Sequence, residues 1–319
     1  MKRILLIHTG GTIGMAETPD GFAPRQGVVE AAVQELTAKA TVAAGIRIET
    51  LEPLIDSAEA TPADWNRIAE TIFAARECCD GFAVTHGTDT LAYTAAALCL
   101  ALEGLEKPVI VTGAMLPLTV AGSDGSRNLA DALNAAASTA PGVWVQFAGK
   151  LLHGARVRKS HSSALDSFAA NTSAVAPLIP ADQPGLRRTA GDRVGVFSVT
   201  PGLWAGLLDH AAAHCAGLVL RCYGSGTAPD LPELRAALEA ARARQVPVIA
   251  VSQCPEGGMR LGTYAAGKVL RDSGVIDGRD ITPEMAYVKM HFALARAAEF
   301  EARRQYLQTC LCGELTAAP

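Results

Sequence analysis

The first loop with residues suited to chemistry follows the apolar run 4–7. Its residues 9–14 are Thr-Gly-Gly-Thr-Ile-Gly. The glycines let the backbone turn tightly and approach a ligand, which leaves the Thr12 hydroxyl among exposed backbone N–H groups. The glycine spacing does not match G-x-G-x-x-G, and the chain contains no G-x-x-x-x-G-K-[ST], so a nucleotide site loses its main support. Taken alone, this loop is better explained as a glycine-rich turn without chemistry.

A second loop, residues 86–90, follows another apolar run and precedes a helical pattern. It combines the Thr88 hydroxyl, the Asp89 carboxylate and the N-terminal amides of the next helix. The alternative is that Asp89 and Thr90 only cap that helix, which is the usual role of such residues. His86, taken alone, is more often a packed or hydrogen-bonded histidine than a catalyst.

Short apolar runs rich in β-branched residues alternate with helical patterns along the chain. This alternation is typical of βαβ units and predicts an α/β fold, with parallel sheets covered by helices on both faces. The runs are residues 4–7, 82–84, 109–111, 143–147, 194–199, 218–220 and 246–251. Ligands of such sheets bind beyond the carboxyl ends of the strands, where both threonine loops stand.

Helix-start patterns predict the positions of the helices, and one segment rich in proline and glycine predicts a domain boundary. Thr61, Pro62 and Asp64 supply an N-cap, a proline at the first helical position and an acid three residues after the cap. Further helices are predicted over residues 91–102, from 126, over 203–210, over 231–245 and from 283. The segment 177–193 separates two halves. We predict a larger N-terminal domain (1–180), a linker (181–193) and a smaller C-terminal α/β domain (194–319).

Composition and charge exclude several classes of protein. The 319 residues are 49% hydrophobic and 19% charged, with a formal net charge of −4, so we expect a globular protein that does not bind nucleic acid. No apolar run is long enough to cross a membrane, and the one after Lys2-Arg3 is too short for a secretory signal, which favours a cytoplasmic location. The eight cysteines are dispersed without a histidine cluster, which favours reduced thiols and predicts no metal site.

The motifs, in this order and spacing, resemble the bacterial-type L-asparaginases over nearly the whole chain. The matching segments are residues 9–14, 56–57, 86–90 and 111–115, together with Lys159. Residues 61–65, 220–224 and 313–316 look most like the cytoplasmic, type I branch. The resemblance implies an enzyme that hydrolyses the side-chain amide of asparagine to aspartate and ammonia, needs no cofactor and forms a homodimer or homotetramer.

The resemblance also implies roles for individual residues. Thr12 matches the family nucleophile, whose hydroxyl attacks the amide carbon to form an acyl-enzyme ester. Thr88, Asp89 and Lys159 match a catalytic group in which the lysine relays a proton, provided that burial lowers the pKa of its ammonium, while the carboxylate orients it. The Thr88 backbone N–H is expected to help hold the oxyanion.

Substrate binding follows from the same resemblance. Asp89 is expected to bind the α-ammonium group of the amino acid, Ser57 its α-carboxylate, and Ala114 to line the pocket with Thr88. Asp56 is either a second acceptor or an exposed carboxylate in a turn.

The sequence departs from the family pattern at several positions. Phe22 stands where the family usually has a tyrosine in the loop after the nucleophile, so it can serve as a lid but cannot pass a proton. Thr227 replaces an asparagine that contributes to a neighbouring subunit's site in the family. Arg221 and Cys254 match the region of a regulatory asparagine site in some type I members, and Arg158 replaces a small hydroxyl residue there.

Other functions remain open on the sequence alone. A glutaminase, an enzyme that prefers D-asparagine and a tRNA-dependent amidotransferase subunit would use related chemistry. The alternative that is not an enzyme is a homologue that binds an amino acid with little turnover. The departures from the family pattern at Phe22 and Thr227 favour this alternative. A nucleotide-binding dehydrogenase shares the fold class but needs the glycine fingerprint that is missing here.

Overall fold

The structure, a computed structural model, describes residues 1–316 and divides into two compact units. Unit 1 is Met1–Arg187 and unit 2 is Arg188–Pro319. The predicted linker, residues 181–193, contains this division. The last three residues of the predicted C-terminal domain, 317–319, lie outside the described residues.

Unit 1 is built from strands and helices that alternate along most of its length. Its strands are β1 (Arg3–Gly10), β2 (Met15–Thr18), β3 (Gly21–Pro24), β4 (Gly45–Ile55), β5 (Gly81–Thr85), β6 (Leu102–Glu103), β7 (Pro108–Thr112), β8 (Gly142–Phe147), β9 (Lys150–His153), β10 (Val157–Lys159), β11 (Phe168–Ala170) and β12 (Gly185–Leu186). Its helices are α1 (Val28–Ala38), α2 (Pro62–Ala74), α3 (Leu91–Ala101) and α4 (Gly125–Ser138).

The main sheet of unit 1 has the strand order β4-β1-β5-β7-β8-β9. All neighbouring strands are parallel except the edge pair β8 and β9. β1 and β5 pair in register, with Ile7 opposite Val84. The prediction of an α/β fold is therefore confirmed, and the order places the carboxyl ends of β1, β5 and β7 side by side in the centre of the sheet.

Local sequence signals account for the helices that flank this sheet. Thr61 and Asp64 form the predicted capping box at the start of α2, and the Asp64 carboxylate accepts the Thr61 backbone N–H at 2.9 Å. On one face of the sheet, apolar residues of α1 and α4 pack against β1. This cluster includes Ile4, Leu6, Ile13, Val29, Val33, Leu36, Ile110, Leu129 and Leu133. Each such buried side chain contributes about 1.5–3 kcal/mol to folding.

Unit 2 contains a smaller parallel sheet with its own helices and apolar core. Its strands are β13 (Val194–Ser198), β14 (Gly217–Cys222), β15 (Val248–Ser252) and β16 (Ile276–Asp277), in that spatial order. Its helices are α5 (Gly206–His214), α6 (Pro232–Ala243), α7 (Lys268–Asp272), α8 (Pro283–Arg296) and α9 (Phe300–Gln308).

Two elements of unit 2 begin two or more residues after their predicted starts. The helix predicted from Leu203 begins at Gly206, because the Leu203 N–H is already bonded to the Thr200 carbonyl in a turn. The strand predicted from Val246 begins at Val248. The Val246 N–H donates back to α6, and the next residue, Pro247, has no N–H for a sheet ladder. Within residues 1–316, no helix combines the length and apolar character needed to span a membrane.

Candidate active site

The loop after β1 places Thr12 in a single turn of 3₁₀ helix, residues 12–14. Gly10 and Gly11 precede it with φ of 120° and 87°, in the region that favours glycine. A Cβ atom on Gly11 would lie 2.4 Å from the backbone nitrogen of Gly87. The glycines therefore allow the Thr12 loop to pack directly on the loop that follows β5.

The loop after β5 is also packed on the segments that follow β4 and β7. A Cβ atom on Gly87 would lie 2.3 Å from the Ser57 Oγ, and one on Gly113 would lie 2.4 Å from the His86 carbonyl oxygen. Ser57 itself is buried. Four loops thus meet at the carboxyl edge of the sheet, because only glycine at these contact points leaves room for the neighbouring backbone or side chain.

A lysine joins the second threonine to the carboxylate beside it. The Lys159 Nζ, at the end of β10, donates to the Thr88 Oγ1 at 2.9 Å and to the Asp89 Oδ1 at 2.8 Å. The Lys159 side chain is 20% exposed and that of Asp89 is 64% exposed. The structure therefore brings together three of the four residues that the sequence analysis assigns to catalysis, with the carboxylate open to solvent.

The helix-capping alternative for Asp89 and Thr90 does not match the structure. The Asp89 carboxylate binds Lys159, and no side chain caps the N-terminus of α3. The Thr90 Oγ1 instead donates to the Ser57 backbone oxygen at 2.8 Å. Thr90 therefore fixes the segment that carries Ser57, a positioning role that the sequence analysis missed.

The segment after β4 also contains Asp56, for which two interpretations were open. Asp56 is exposed, and its Oδ1 accepts the Ala58 backbone N–H at 3.0 Å. This is the geometry of a turn stabilised by an aspartate side chain. The structure gives Asp56 the contact expected of a turn carboxylate beside the buried Ser57.

Two polar residues that the sequence analysis did not single out hold the segment around Ala114. The Asp124 carboxylate accepts the Met115 backbone N–H at 3.0 Å. The Asn128 Nδ2 donates to the Gly113 carbonyl and to Asp124, both at 3.0 Å. Asp124 and Asn128 are four residues apart at the start of α4, so they share a helix face. The sequence signal that could have identified them is their spacing of four residues beside the apolar residues of α4.

A polar network under the Thr12 loop joins β1 to β5. The His8 Nδ1 and the Thr85 Oγ1 are 2.8 Å apart, and the Thr9 Oγ1 donates to the Thr85 carbonyl at 2.7 Å. Burial lowers the pKa of His8, an effect that Glu30 and Glu52 partly oppose. The His8 ring is packed directly beneath the turn that carries Thr12, since a Cβ added to Gly14 in that turn would lie 2.9 Å from the ring.

His86 is fully enclosed and hydrogen-bonded through both ring nitrogens. Its Nδ1 lies 2.8 Å from the Gly87 carbonyl oxygen and its Nε2 lies 2.9 Å from the Thr94 Oγ1. Burial lowers the pKa of His86, and the bond to Gly87 only partly offsets this. The structure therefore agrees with the interpretation of a packed, hydrogen-bonded histidine.

The remaining candidate residues lie elsewhere. Phe22 is on β3 of an exposed hairpin with β2, and its side chain is 51% exposed. In unit 2, Arg221 lies on β14 and the exposed Cys254 follows β15, at the carboxyl edge of neighbouring strands. Thr227 forms an isolated bridge with Tyr223 in the same unit.

The chemistry available at the four-loop edge of unit 1 is that of hydroxyl, ammonium and carboxylate groups. Across the described residues, 1–316, no three His, Cys, Asp or Glu side chains are grouped so that they could hold a metal ion. All eight cysteines are free thiols. A threonine hydroxyl on a glycine-flanked turn, in the same group of loops as a lysine that contacts a second hydroxyl, suits nucleophilic attack on a carbonyl carbon with proton transfer nearby.

Comparison with known families identifies both parts of the chain. Residues 3–189 match the family model "Asparaginase, N-terminal", and residues 193–307 match "Glutaminase/Asparaginase C-terminal domain". The L-asparaginase 1 of Escherichia coli strain K12 is 35% identical to this chain, covering 99% of the chain and 98% of that protein.

Two solved structures share the fold over their full length. The crystal structure of L-asparaginase I from Vibrio cholerae superposes with a TM-score of 0.87 and 34% identity, covering 99% of both chains. The thermostable L-asparaginase from Thermococcus kodakarensis gives a TM-score of 0.85 and 33% identity, covering 99% of this chain and 100% of that one.

Proposed function

The chain belongs to the asparaginase family, and we infer that it is an L-asparaginase, an amidohydrolase that converts L-asparagine to L-aspartate and ammonia. The observation that carries the mechanism is the Lys159 ammonium between the Thr88 hydroxyl and the Asp89 carboxylate. It lies in unit 1, where the loop of Thr12 packs on the loop of Thr88.

The first chemical step is attack by the Thr12 oxygen on the side-chain amide carbon. The C–O bond forms, the hydroxyl proton passes to a neighbouring base, and the tetrahedral intermediate collapses with loss of the C–N bond. The departing nitrogen takes a proton and leaves as ammonia. An alkyl hydroxyl is almost wholly protonated at neutral pH, so this step needs a proton acceptor close to Thr12.

The second step is hydrolysis of the ester on Thr12. A water molecule, activated by a base, attacks the same carbon, and the Thr12 oxygen leaves and regains its proton. Lys159 and the Thr88 hydroxyl that it contacts relay the proton in both steps, and the Asp89 carboxylate orients the lysine. The Thr88 backbone N–H stabilises the oxyanion of each tetrahedral intermediate.

Substrate recognition uses the charged end of the amino acid. Of the two carboxylate oxygens of Asp89, Lys159 donates to Oδ1, and the exposed carboxylate can bind the substrate α-ammonium through the other oxygen. The Ser57 hydroxyl, against Gly87, serves as a donor to the α-carboxylate. With both charged groups of this end held, the side-chain amide faces the Thr12 turn beside the buried Ala114.

The test of this proposal is ammonia release from the purified protein supplied with L-asparagine, L-glutamine or D-asparagine. The Thr12→Ala protein serves as the blank, and Thr88→Val as a second variant. We expect turnover of L-asparagine that both substitutions abolish without loss of the folded structure. Substantial activity in Thr12→Ala would contradict the nucleophile assignment.

The same assay separates the alternatives that the sequence left open. Faster release from L-glutamine or D-asparagine would identify a different substrate preference. Thermal stabilisation by L-asparagine without any ammonia would identify an amino-acid-binding homologue, because a ligand that binds the folded state raises the unfolding temperature whether or not it reacts.

Location and assembly complete the proposal. The resemblance of residues 61–65, 220–224 and 313–316 to the type I branch supports a cytoplasmic enzyme. We also propose a homodimer or homotetramer, which light scattering coupled to size-exclusion chromatography distinguishes by mass. A 33.1 kDa species at working concentration would contradict self-association.

A further inference from the structure

The His86 imidazole lies on the side of the active-site loop that faces the protein interior. It is 1% exposed and touches α3 through Thr94, so it cannot reach a substrate. Its two hydrogen bonds nevertheless define its protonation. The Gly87 carbonyl oxygen can only accept, so the Nδ1 carries the proton and donates. The Nε2 of the neutral ring then accepts from the Thr94 hydroxyl.

The Gly87 carbonyl is part of the same peptide unit as the Thr88 N–H. This peptide is trans and planar, so its C=O and N–H bonds point in opposite directions. With the carbonyl oxygen held 2.8 Å from the His86 Nδ1, the Thr88 N–H points away from the imidazole and from α3. This N–H has no acceptor within residues 1–316.

We propose that His86 is a positioning residue that aims the Thr88 backbone N–H at the oxyanion, with Thr94 fixing the required tautomer. This inference rests on the proposed amidohydrolase function. Without the Nδ1 donor the Gly87–Thr88 peptide loses the hydrogen bond that fixes the direction of its carbonyl, and the alignment of the oxyanion donor is weakened. Gly87 has no Cβ to restrict rotation of this peptide, so the imidazole supplies the constraint.

The decisive experiment compares His86→Asn with His86→Gln. The asparagine amide nitrogen occupies the place of Nδ1 and can donate to the Gly87 carbonyl, whereas the glutamine amide reaches the place of Nε2 near Thr94. We expect His86→Gln to lower kcat about tenfold, less than the roughly 10²–10³-fold loss on removing an oxyanion donor outright, and to leave KM unchanged. His86→Asn should retain kcat to within about threefold, because it keeps the hydrogen bond.

A second readout isolates the oxyanion from ground-state binding. The aldehyde analogue of the substrate, L-aspartate β-semialdehyde, adds the Thr12 hydroxyl across its C=O bond, and the carbonyl oxygen of the tetrahedral adduct takes up the proton. His86→Gln should weaken binding of this analogue by about the same factor as kcat, while affinity for L-aspartate stays constant. A purely structural role for His86 would weaken both ligands together.

Thr94 provides an independent test if His86→Gln fails to fold. Thr94→Val removes the hydroxyl that bonds the Nε2 and should lower kcat about two- to fivefold, whereas Thr94→Ser should restore it. The inference would be overturned by a folded His86→Gln protein with wild-type kcat, or by a loss of kcat in His86→Asn equal to that in His86→Gln. If the wild-type protein still releases ammonia, the proposed function stands in either case. No ammonia from the wild type would instead overturn the proposed function itself.

Discussion

Of the lysine–carboxylate pairs in the described residues, one in unit 1 and one in unit 2 have nearly equal lengths but opposite surroundings. In unit 1, Lys159 and Asp89 are 2.8 Å apart with 20% and 64% of their side chains exposed. In unit 2, Lys289 and Glu314 are 2.6 Å apart and both side chains are fully buried. The comparison teaches that the same pair of groups serves chemistry where water and substrate can reach it, and holds the fold where they cannot.

Both charged groups of the buried pair form further hydrogen bonds within unit 2. The Lys289 Nζ also donates to the Thr309 carbonyl, and the Glu314 carboxylate accepts the backbone N–H groups of Leu311 and Cys312. Burial alone would raise the pKa of Glu314, but the Lys289 charge and hydrogen bond and the Cys312 N–H lower it below its usual range. The pair ties the chain after α9 to α8, and its charges are not available to a ligand.

The largest effect is expected from the exposed pair, on activity alone. Lys159→Met should lower kcat/KM by about 10²–10⁴-fold, the range for loss of a positioned proton-transfer group. The free energy of unfolding should change by less than about 1 kcal/mol, because an exposed ion pair contributes little. Steady-state kinetics measures the loss of activity, and denaturant titration of the same preparation measures the change in the free energy of unfolding. A Lys159→Met protein that unfolds readily would contradict the proposed difference between the two pairs.

The matched substitution in the buried pair should have the reverse outcome. Lys289→Met leaves the Glu314 carboxylate buried without its cation and should destabilise unit 2 by about 3–5 kcal/mol. Activity per folded molecule should remain at the wild-type level, since neither residue belongs to the candidate site. Denaturant unfolding followed by circular dichroism measures the change. A double variant, Lys289→Met with Glu314→Gln, should recover part of the loss because the unpaired charge is gone.

The pH dependence of stability tests whether the ionised Glu314 carboxylate stabilises the folded state. Its folded-state pKa lies below the unfolded value of about 4.3, so the unfolded chain binds its proton more readily. The resulting stabilisation is present above that unfolded pKa and is lost as the pH falls through the folded pKa. Thermal unfolding between pH 7 and pH 3 should therefore show a steeper loss for the wild type than for Glu314→Gln, and parallel curves would contradict it.

The smallest effect is expected at the exposed hairpin of β2 and β3, in the same unit as the exposed pair. Phe22→Tyr restores a hydroxyl where the family usually has one and should raise kcat about two- to tenfold, the value of one hydrogen bond of about 0.5–1.5 kcal/mol. Phe22→Leu is the matched control for size without a hydroxyl. No gain, or a loss, in Phe22→Tyr would mean that proton transfer relies on groups around Lys159 instead.

Most of the fold could be predicted because buried strands leave a local signature. Runs such as 82–84 and 109–111 are continuous and apolar, and they became the central strands β5 and β7. β4 was missed because it is an edge strand in whose first half exposed and half-buried residues alternate, so it contains no apolar run. Residues 46–49, Ile-Arg-Ile-Glu, carried the alternation that would have revealed it.

The candidate site was only partly predictable for a related reason. Thr12 lies in one short motif, and Thr88 and Asp89 lie in another. Each motif consists of neighbouring residues, so it can be recognised in the sequence. Asp124 and Asn128 act on backbone groups 9 and 15 residues away in the chain, and each has a common local explanation as a polar residue at the start of a helix. Their role depends on which backbone groups α4 is packed against, which local patterns do not encode.

The fold class, the family and the chemical groups at the site can be read from the amino-acid sequence, because periodicity and short motifs involve neighbouring residues. The exposure of each lysine–carboxylate pair and the direction of the Gly87–Thr88 peptide depend on how the chain is packed. Lys159 and Asp89 are 70 residues apart in the chain, and Lys289 and Glu314 are 25 apart. Exposure and hydrogen-bond direction are properties of the packed chain, since each depends on atoms contributed by distant segments.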